Sequence, residues 1–272
     1  MIQHNRDALE EAVSRAAELA DVDAEWTRSI IPWSSPVPCF GDPSCAQIAT
    51  LGLNPSNREF VDQRGFELSG ADRRFHTLRS LRLRTWRDLE SGHVTRMSDK
   101  CREYFQNQPY DRWFRVLDKL ISILGVSYYS ATSSACHLDL VPYATHLKWT
   151  GLEQRYKDRL VYESADVLSA LILRSSIRVL ILNGISVVKA FESLAQTELE
   201  RAPVVKWSLP RASGAGVLGW SFRGEVTQLR GAPLGRPILV LGYNHNLQSS
   251  FGVTDKVRTG ISNWIQKQVA ER

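Results

Sequence analysis

The sequence has no apolar run approaching the roughly 20 residues that cross a bilayer, which removes a helical membrane span. Its opening residues, Met1-Ile2-Gln3-His4-Asn5-Arg6-Asp7, lack the apolar centre of a secretory leader, so a cytoplasmic protein is expected. Cysteine is scarce. Cys39, Cys45, Cys101 and Cys136 are four in 272 residues, loosely spaced and unsuited to a disulfide framework in a reducing compartment. They read as buried free thiols. Common catalytic signatures are missing too: no phosphate loop of the Gly-x-x-x-x-Gly-Lys-Ser/Thr type, no His-Glu-x-x-His and no Gly-x-Ser-x-Gly. No Gly-x-Gly-x-x-Gly follows a strand and opens a helix. Lys148 and Lys206 lie in no motif that would make either a nucleophile. There is no internal repeat and no low-complexity tract.

What remains is ordinary globular material. Apolar residues make up 43% of the chain. The length fits a single domain over 1–272, with an N-terminal helix and loop, 1–45, as an extension. Helical spacing marks Asp7 to Leu19, Pro109 to Leu124, Leu152 to Leu173, a helix ending at Leu194, and Thr254 to Val269. Gly125 supplies a stop for the second of these. Four prolines between Pro32 and Pro43 read as a loop. Apolar strands are predicted at Ile48–Leu51, Ala135–Val141, Arg178–Leu182 and Pro237–Leu241. Shorter ones fall at Val204–Leu209 and Trp220–Thr227, around a Gly-rich turn. Strands alternating with long helices predict an α/β fold with a mainly parallel central sheet covered on both faces, a three-layer α/β/α sandwich.

The net charge of +5 permits a phosphate-rich partner without requiring one. Its distribution is more pointed. Arg73, Arg74, Arg79, Arg82, Arg84 and Arg87 fall within fifteen positions, in a segment read as partly helical. Such a cluster suits bidentate contact with phosphate oxygens, or forms a solvated helix face.

Two places carry a pattern of chemistry. The strand Ile48-Ala49-Thr50-Leu51 runs into Gly52-Leu53-Asn54-Pro55-Ser56. The strand Pro237–Leu241 runs into Gly242-Tyr243-Asn244-His245-Asn246-Leu247. Polar groups just past parallel strands sit where open α/β sheets put their ligand crevice. An amide after an early strand and a histidine after a late one would make a site if folded onto one edge.

These segments resemble the uracil-DNA glycosylase superfamily. Its first motif is a strand ending in Gly-x-Asp/Asn-Pro, matched here by Gly52-Leu53-Asn54-Pro55 in the asparagine form. Its second is a histidine loop after the last strand, matched in part by His245, which Asn246 follows where the family has proline. The resemblance implies that Asn54 positions the attacking water and that His245 donates to the departing base. It implies base stacking on Phe60 or Phe66, with Ser56 and Glu67 nearby as substrate contacts. Arg73, Arg74, Arg79, Asn244, Asn246 and Gln248 become candidate DNA contacts, and Leu247 the first candidate to fill the gap left by an extruded nucleotide, ahead of Gln248 and Phe251.

The strand His137-Leu138-Asp139-Leu140 falls where the family often reads the base with asparagine. A carboxylate only accepts hydrogen bonds, which suits the N4 amine of cytosine and repels the O4 of uracil. Asp139, with His137 on the same strand face, therefore favours a modified cytosine; an ion pair with arginine is the plain alternative. Polar Asn57, Arg58, Glu59 and Glu67 also leave room for a sugar. The resemblance thus implies a monofunctional, cofactor-free, monomeric DNA glycosylase. Its substrate is glucosylated hydroxymethylcytosine of phage DNA, or else uracil or another deaminated base in repair. Some members carry a four-iron cluster on four cysteines, which keeps an iron–sulfur alternative open. A DNA-binding module without chemistry, and a hydrolase of free nucleosides, are the competing readings.

Overall fold

The computed structural model describes residues 3–22, 28–107, 109–130, 134–211, 216–248 and 250–272. Its centre is a seven-stranded mixed sheet. The strands are β1 (Cys39–Phe40), β2 (Ile48–Gly52), β3 (Ala135–Asp139), β4 (Val179–Asn183), β5 (Glu200–Pro203), β6 (Trp220–Leu229) and β7 (Ala232–Tyr243). Their spatial order is β1-β3-β2-β4-β7-β6-β5. The middle four, β3-β2-β4-β7, run parallel; β1 on one side and β6 and β5 on the other are antiparallel.

Burial explains which strands sit inside. Every residue of β2, β3 and β4 is buried, as expected of parallel strands covered on both faces. Every residue of β5 is exposed, fitting its place at the sheet edge. The β6–β7 hairpin is longer than the predicted Trp220–Thr227 and Pro237–Leu241 segments. Its outer half alternates buried with exposed positions, which thins the apolar run. The predicted strand Val204–Leu209 is instead a 3-10 turn at Val205–Trp207 followed by a single bridge, Leu209 to Val217. The strand proper is the polar Glu200–Pro203 before it.

The helices are α1 (Gln3–Val22), α2 (Leu78–Leu81), α3 (Ser91–Arg102), α4 (Asp111–Ile121), α5 (Gln154–Leu173), α6 (Ile185–Ala195) and α7 (Asp255–Ala270). α1 is part of the core: Ala8, Leu9, Ala12 and Val13 are buried, and the helix packs on α5 and α3. α3 escapes sequence reading because only Val94, Met97 and Cys101 form its buried apolar stripe, among mostly polar neighbours. α4 continues into a 3-10 turn that Gly125 ends in the left-handed conformation, φ 74°. Thr254 caps α7 by accepting from Val257 N. The arginine segment is short pieces: two 3-10 turns, the one-turn α2, and Arg82 left-handed at φ 62°. Among the described residues no helix is long and apolar enough to cross a membrane.

The chain goes from β2 outward to β3, then crosses back to β4 on the other side of β2. Such a reversal, here at the carboxyl ends of β2 and β4, is where open α/β sheets generally bind ligands.

Candidate active site at the carboxyl edge of the sheet

β2 and β3 end side by side, with Gly52 paired to Asp139. Their parallel ladder runs on past the strands, through Leu140 N to Gly52 O (3.1 Å) and Val141 N to Leu53 O (2.9 Å). That extension holds Asn54 against the segment after β3. The Asn54 amide nitrogen donates to Tyr143 O (3.2 Å), Pro55 O (3.2 Å) and Thr145 Oγ1 (3.1 Å). Two of these are carbonyls, and Thr145 already donates to Leu147 O, so all three can only accept. The amide is therefore locked one way round. Its Oδ1 accepts no hydrogen bond among the described residues.

Asp139 is buried, and Gly52 is what makes room for it. A Cβ on Gly52 would lie 2.5 Å from Asp139 Oδ1 and 2.8 Å from His137 Nε2. His137 Nε2 stands 3.4 Å from Asp139 Oδ1, a long contact. On its other side His137 Nδ1 meets Thr50 Oγ1 at 2.6 Å, and Thr50 Oγ1 meets the Tyr128 hydroxyl at 2.5 Å. A proton on Nε2 facing the carboxylate makes Nδ1 an acceptor, so Thr50 donates to it and Tyr128 donates to Thr50. Burial keeps the Tyr128 phenol protonated, far above its ordinary range. His137 is thus a support for Asp139 rather than a second reader. Rings of Trp113 and Phe114 pack on it, at 5.1 and 5.3 Å between centroids. Burial in this apolar setting raises the Asp139 carboxyl above its usual range, and the His137 contact holds it back. Asp139 accepts no other hydrogen bond among the described residues.

A second buried carboxylate lies close by. Glu59 receives the Tyr104 hydroxyl on both oxygens, at 2.9 Å each, and Arg74 Nε stands 3.9 Å away. Burial pushes its carboxyl up to about 7, against the pull of Arg74 and Tyr104, while Asp139 pushes it further up. Sequence reading passed over the weight of this group. The available signals were Glu59 beside the buried Phe60 and Thr50 within an apolar strand, since buried polar side chains need partners.

Other expected residues fall elsewhere. His245 is buried, and its Nε2 lies 2.7 Å from Trp207 O. A carbonyl only accepts, so Nε2 carries the proton and Nδ1 of the neutral ring has none to give. Burial lowers the pKa of this ring, which favours the neutral form. The expected donor to a departing base is therefore committed to the protein. Leu247 is 1% exposed and belongs to the core, so it is no wedge in this conformation. Gln248 Oε1 accepts from Asn183 Nδ2 (2.8 Å) and its amide reaches Trp113 O (3.4 Å). Asn244 bonds Trp220 N and Leu218 O, both at 2.8 Å. Asn246 Oδ1 accepts from Gln248 N (3.1 Å). The loop after β7 is welded into the fold.

The aromatic candidates separate. Phe60 is buried between Trp33 (6.4 Å) and Phe75 (5.8 Å), whereas Phe66 projects into solvent. Ser56 is exposed and caps the turn Asn57–Glu59. Glu67 is held by the Thr77 hydroxyl at 2.5 Å. Arg74 points inward, to Glu59 and to Arg58 O at 2.8 Å, and Arg73 Nε is buried with no hydrogen-bond partner. Arg79 is exposed. A depression of about 820 Å³ nearby is lined by Arg82, Arg84, Arg96 and His93 with Asp88 and Glu90, and no residue of the Asn54 edge lines it. Cys39 and Cys101 share a hydrogen bond that, with burial, raises the Cys39 thiol, while Cys45 is exposed. Among the described residues no group of cysteines, histidines or carboxylates is set to hold a metal.

Compared with known protein families and with curated proteins, the chain matches none.

Proposed function

We propose that the protein is a monofunctional DNA glycosylase that hydrolyses the N-glycosidic bond of an extruded, non-standard base and leaves an abasic site. The observation that carries this reading is the pair of open acceptors at adjacent strand ends, Asn54 Oδ1 and the Asp139 carboxylate. The described residues leave capacity to accept on both side chains, so one donor-bearing ligand at the paired strand ends could engage the two together. Asn54 Oδ1 orients a water for attack on the anomeric carbon. Asp139 accepts from the exocyclic amine of the base, which favours a modified cytosine, with glucosylated hydroxymethylcytosine of phage DNA as the preferred substrate. The exposed arginines around Arg79 and Arg82 supply phosphate contacts. The reading also carries the finer architecture, helices layered on both faces of the sheet in one domain, and a cytoplasmic monomer without a cofactor.

Excision of uracil or another deaminated base is the second reading, favoured by Asp139 if its raised carboxyl keeps a proton and donates. Abasic-site formation on DNAs carrying uracil, hypoxanthine, hydroxymethylcytosine or glucosylated hydroxymethylcytosine decides between them. The first reading expects product only from the cytosine derivatives, with Asp139→Asn shifting preference toward uracil. Binding with no abasic product on any DNA would leave a non-catalytic module instead.

A further inference from the structure

The arginine segment and α3 meet over one open depression, where positive charge collects without a counter-ion. Arg82, Arg84, Arg96 and His93 line it. His93, Arg96 and Lys100 share one face of α3, at i, i+3 and i+7, and like charges stacked in this way repel. Among the described residues none of Arg73, Arg82, Arg84, Arg96 and Lys100 forms an ion pair. The carboxylates at the rim do not neutralise them. Asp88 Oδ2 accepts from Thr85 N (3.1 Å) and Thr85 Oγ1 (3.3 Å), and among the described residues neither Asp88 nor Glu90 pairs with an arginine. The buried His76 registers the crowding: burial, then Arg96, Lys100, Arg73 and His93, push its pKa down to about 4. Arg73 Nε, in the same cluster, is buried with no hydrogen-bond partner among the described residues.

The donors are held in place. His93 Nδ1 accepts from Glu90 N (3.1 Å), so the neutral ring carries its proton on Nε2 as a donor. Thr77 and Ser80 cap α2 reciprocally, through Ser80 N to Thr77 Oγ1 (3.0 Å) and Thr77 N to Ser80 Oγ (2.9 Å). Ser80 Oγ also meets His76 Nδ1 at 3.0 Å. Arg82 ends that turn in the left-handed conformation, φ 62°, where glycine is the ordinary residue. A guanidinium is thus carried at the rim against a backbone preference.

These observations are independent of the glycosylase reading. We infer that the depression binds the terminal phosphate of a phosphate monoester, at a site separate from the Asn54 and Asp139 strand ends. A terminal phosphate carries about −1.5 to −2 near neutral pH and offers three oxygens, whereas a phosphate within a strand carries a single charge. Guanidiniums engage such oxygens in pairs, and His93 Nε2 adds one more donor. A nucleic-acid backbone calls for a stripe of charge rather than charges that converge on one depression. Leu81 and Leu83 line the walls, and no aromatic ring does, so recognition rests on the phosphate rather than on a base. Two sources offer that chemistry, a free nucleotide and the 5′ end of a strand.

The test is calorimetric titration of the full-length protein with thymidine 5′-monophosphate, thymidine and dimethyl phosphate at one low salt concentration. The monophosphate is expected to bind about tenfold or more tighter than dimethyl phosphate, with no binding of thymidine. Arg84→Ala and Arg96→Ala remove exposed side chains and should each weaken the monophosphate about tenfold, while Lys256→Ala, an exposed cation on α7, leaves it unchanged. An unaltered Tm without ligand verifies that each variant is folded. No binding of the monophosphate, equal affinity for dimethyl phosphate, or binding that survives the double variant Arg84→Ala with Arg96→Ala would overturn the inference. Oligonucleotides with and without a 5′-phosphate then compete for the site. Displacement only by the phosphorylated strand assigns it to strand ends, and displacement by neither assigns it to free nucleotides. Equal displacement by both would overturn the inference in favour of a backbone contact.

Discussion

The connections that leave β2 and β7 each carry an asparagine just past the strand, and the two asparagines are used in opposite ways. Asn54 is anchored through its nitrogen alone, and its carbonyl stays open. Asn244 is bonded at both ends, to Trp220 N and Leu218 O. The difference extends to the neighbours. Beside Asn54, Gly52 clears space for the Asp139 carboxylate. Beside Asn244, His245 is tied to Trp207, and Ile185 N donates to Asn244 O at 3.1 Å. A polar residue at a strand end is thus a site only when an acceptor or donor is left over. When every group is matched, the same residue type is a staple.

The largest expected effect comes from removing the clearance. Gly52→Ala drives a methyl group into Asp139 and His137 and should cost about 3 kcal/mol of stability by overpacking, read as a lowered Tm, together with any activity. Asn54→Ala should lower abasic-site formation about hundredfold while the fold survives. Asn54→Asp sharpens the point, because its second oxygen would face the Tyr143 and Pro55 carbonyls. It should destabilise rather than improve the site, although a carboxylate is the better base.

Glu59 gives a pH signature on the β2 side alone. Its carboxyl is raised from 4.5 when unfolded to about 7 when folded. Between those values the folded state holds a proton that the unfolded state has lost, so stability falls as pH rises through that window. Glu59 contributes a fall of about 2 kcal/mol from pH 5 to pH 8, opposed by buried His76, whose pKa is lowered to about 4. The signature is therefore the difference in stability between wild type and Glu59→Gln by denaturant titration, which should fall by that amount. A difference between wild type and Glu59→Gln that stays flat or rises with pH over that range would contradict the assignment. The smallest effect belongs to the β7 side. His245→Ala should cost about 1–2 kcal/mol of stability by leaving Trp207 O unpaired, with turnover per folded molecule within a few-fold of wild type.

Much of the frame was legible from local pattern. β2, β3 and β4 are continuous apolar runs, and α4, α5 and α7 have the spacing and stops that define helices. The edge strand β5 and the polar helix α3 were not, because tertiary pairing holds them more than their own composition. At the site, Asn54 and Asp139 were legible as residues, and their juxtaposition follows from β2 pairing with β3. The fates of His245, Leu247 and Phe60 were not. Each has the right position along the chain, but burial and a carbonyl partner, set by segments far away in sequence, decide what its atoms can do.

The most direct test is abasic-site formation by wild type, Asn54→Ala and His245→Ala on glucosylated hydroxymethylcytosine DNA, below the Tm of all three. The expected result is product from wild type, about a hundredfold less from Asn54→Ala, and near wild-type rates from His245→Ala. Equal rates for Asn54→Ala and wild type, or a collapse with His245→Ala alone, would contradict the assignment of chemistry to the β2–β3 edge.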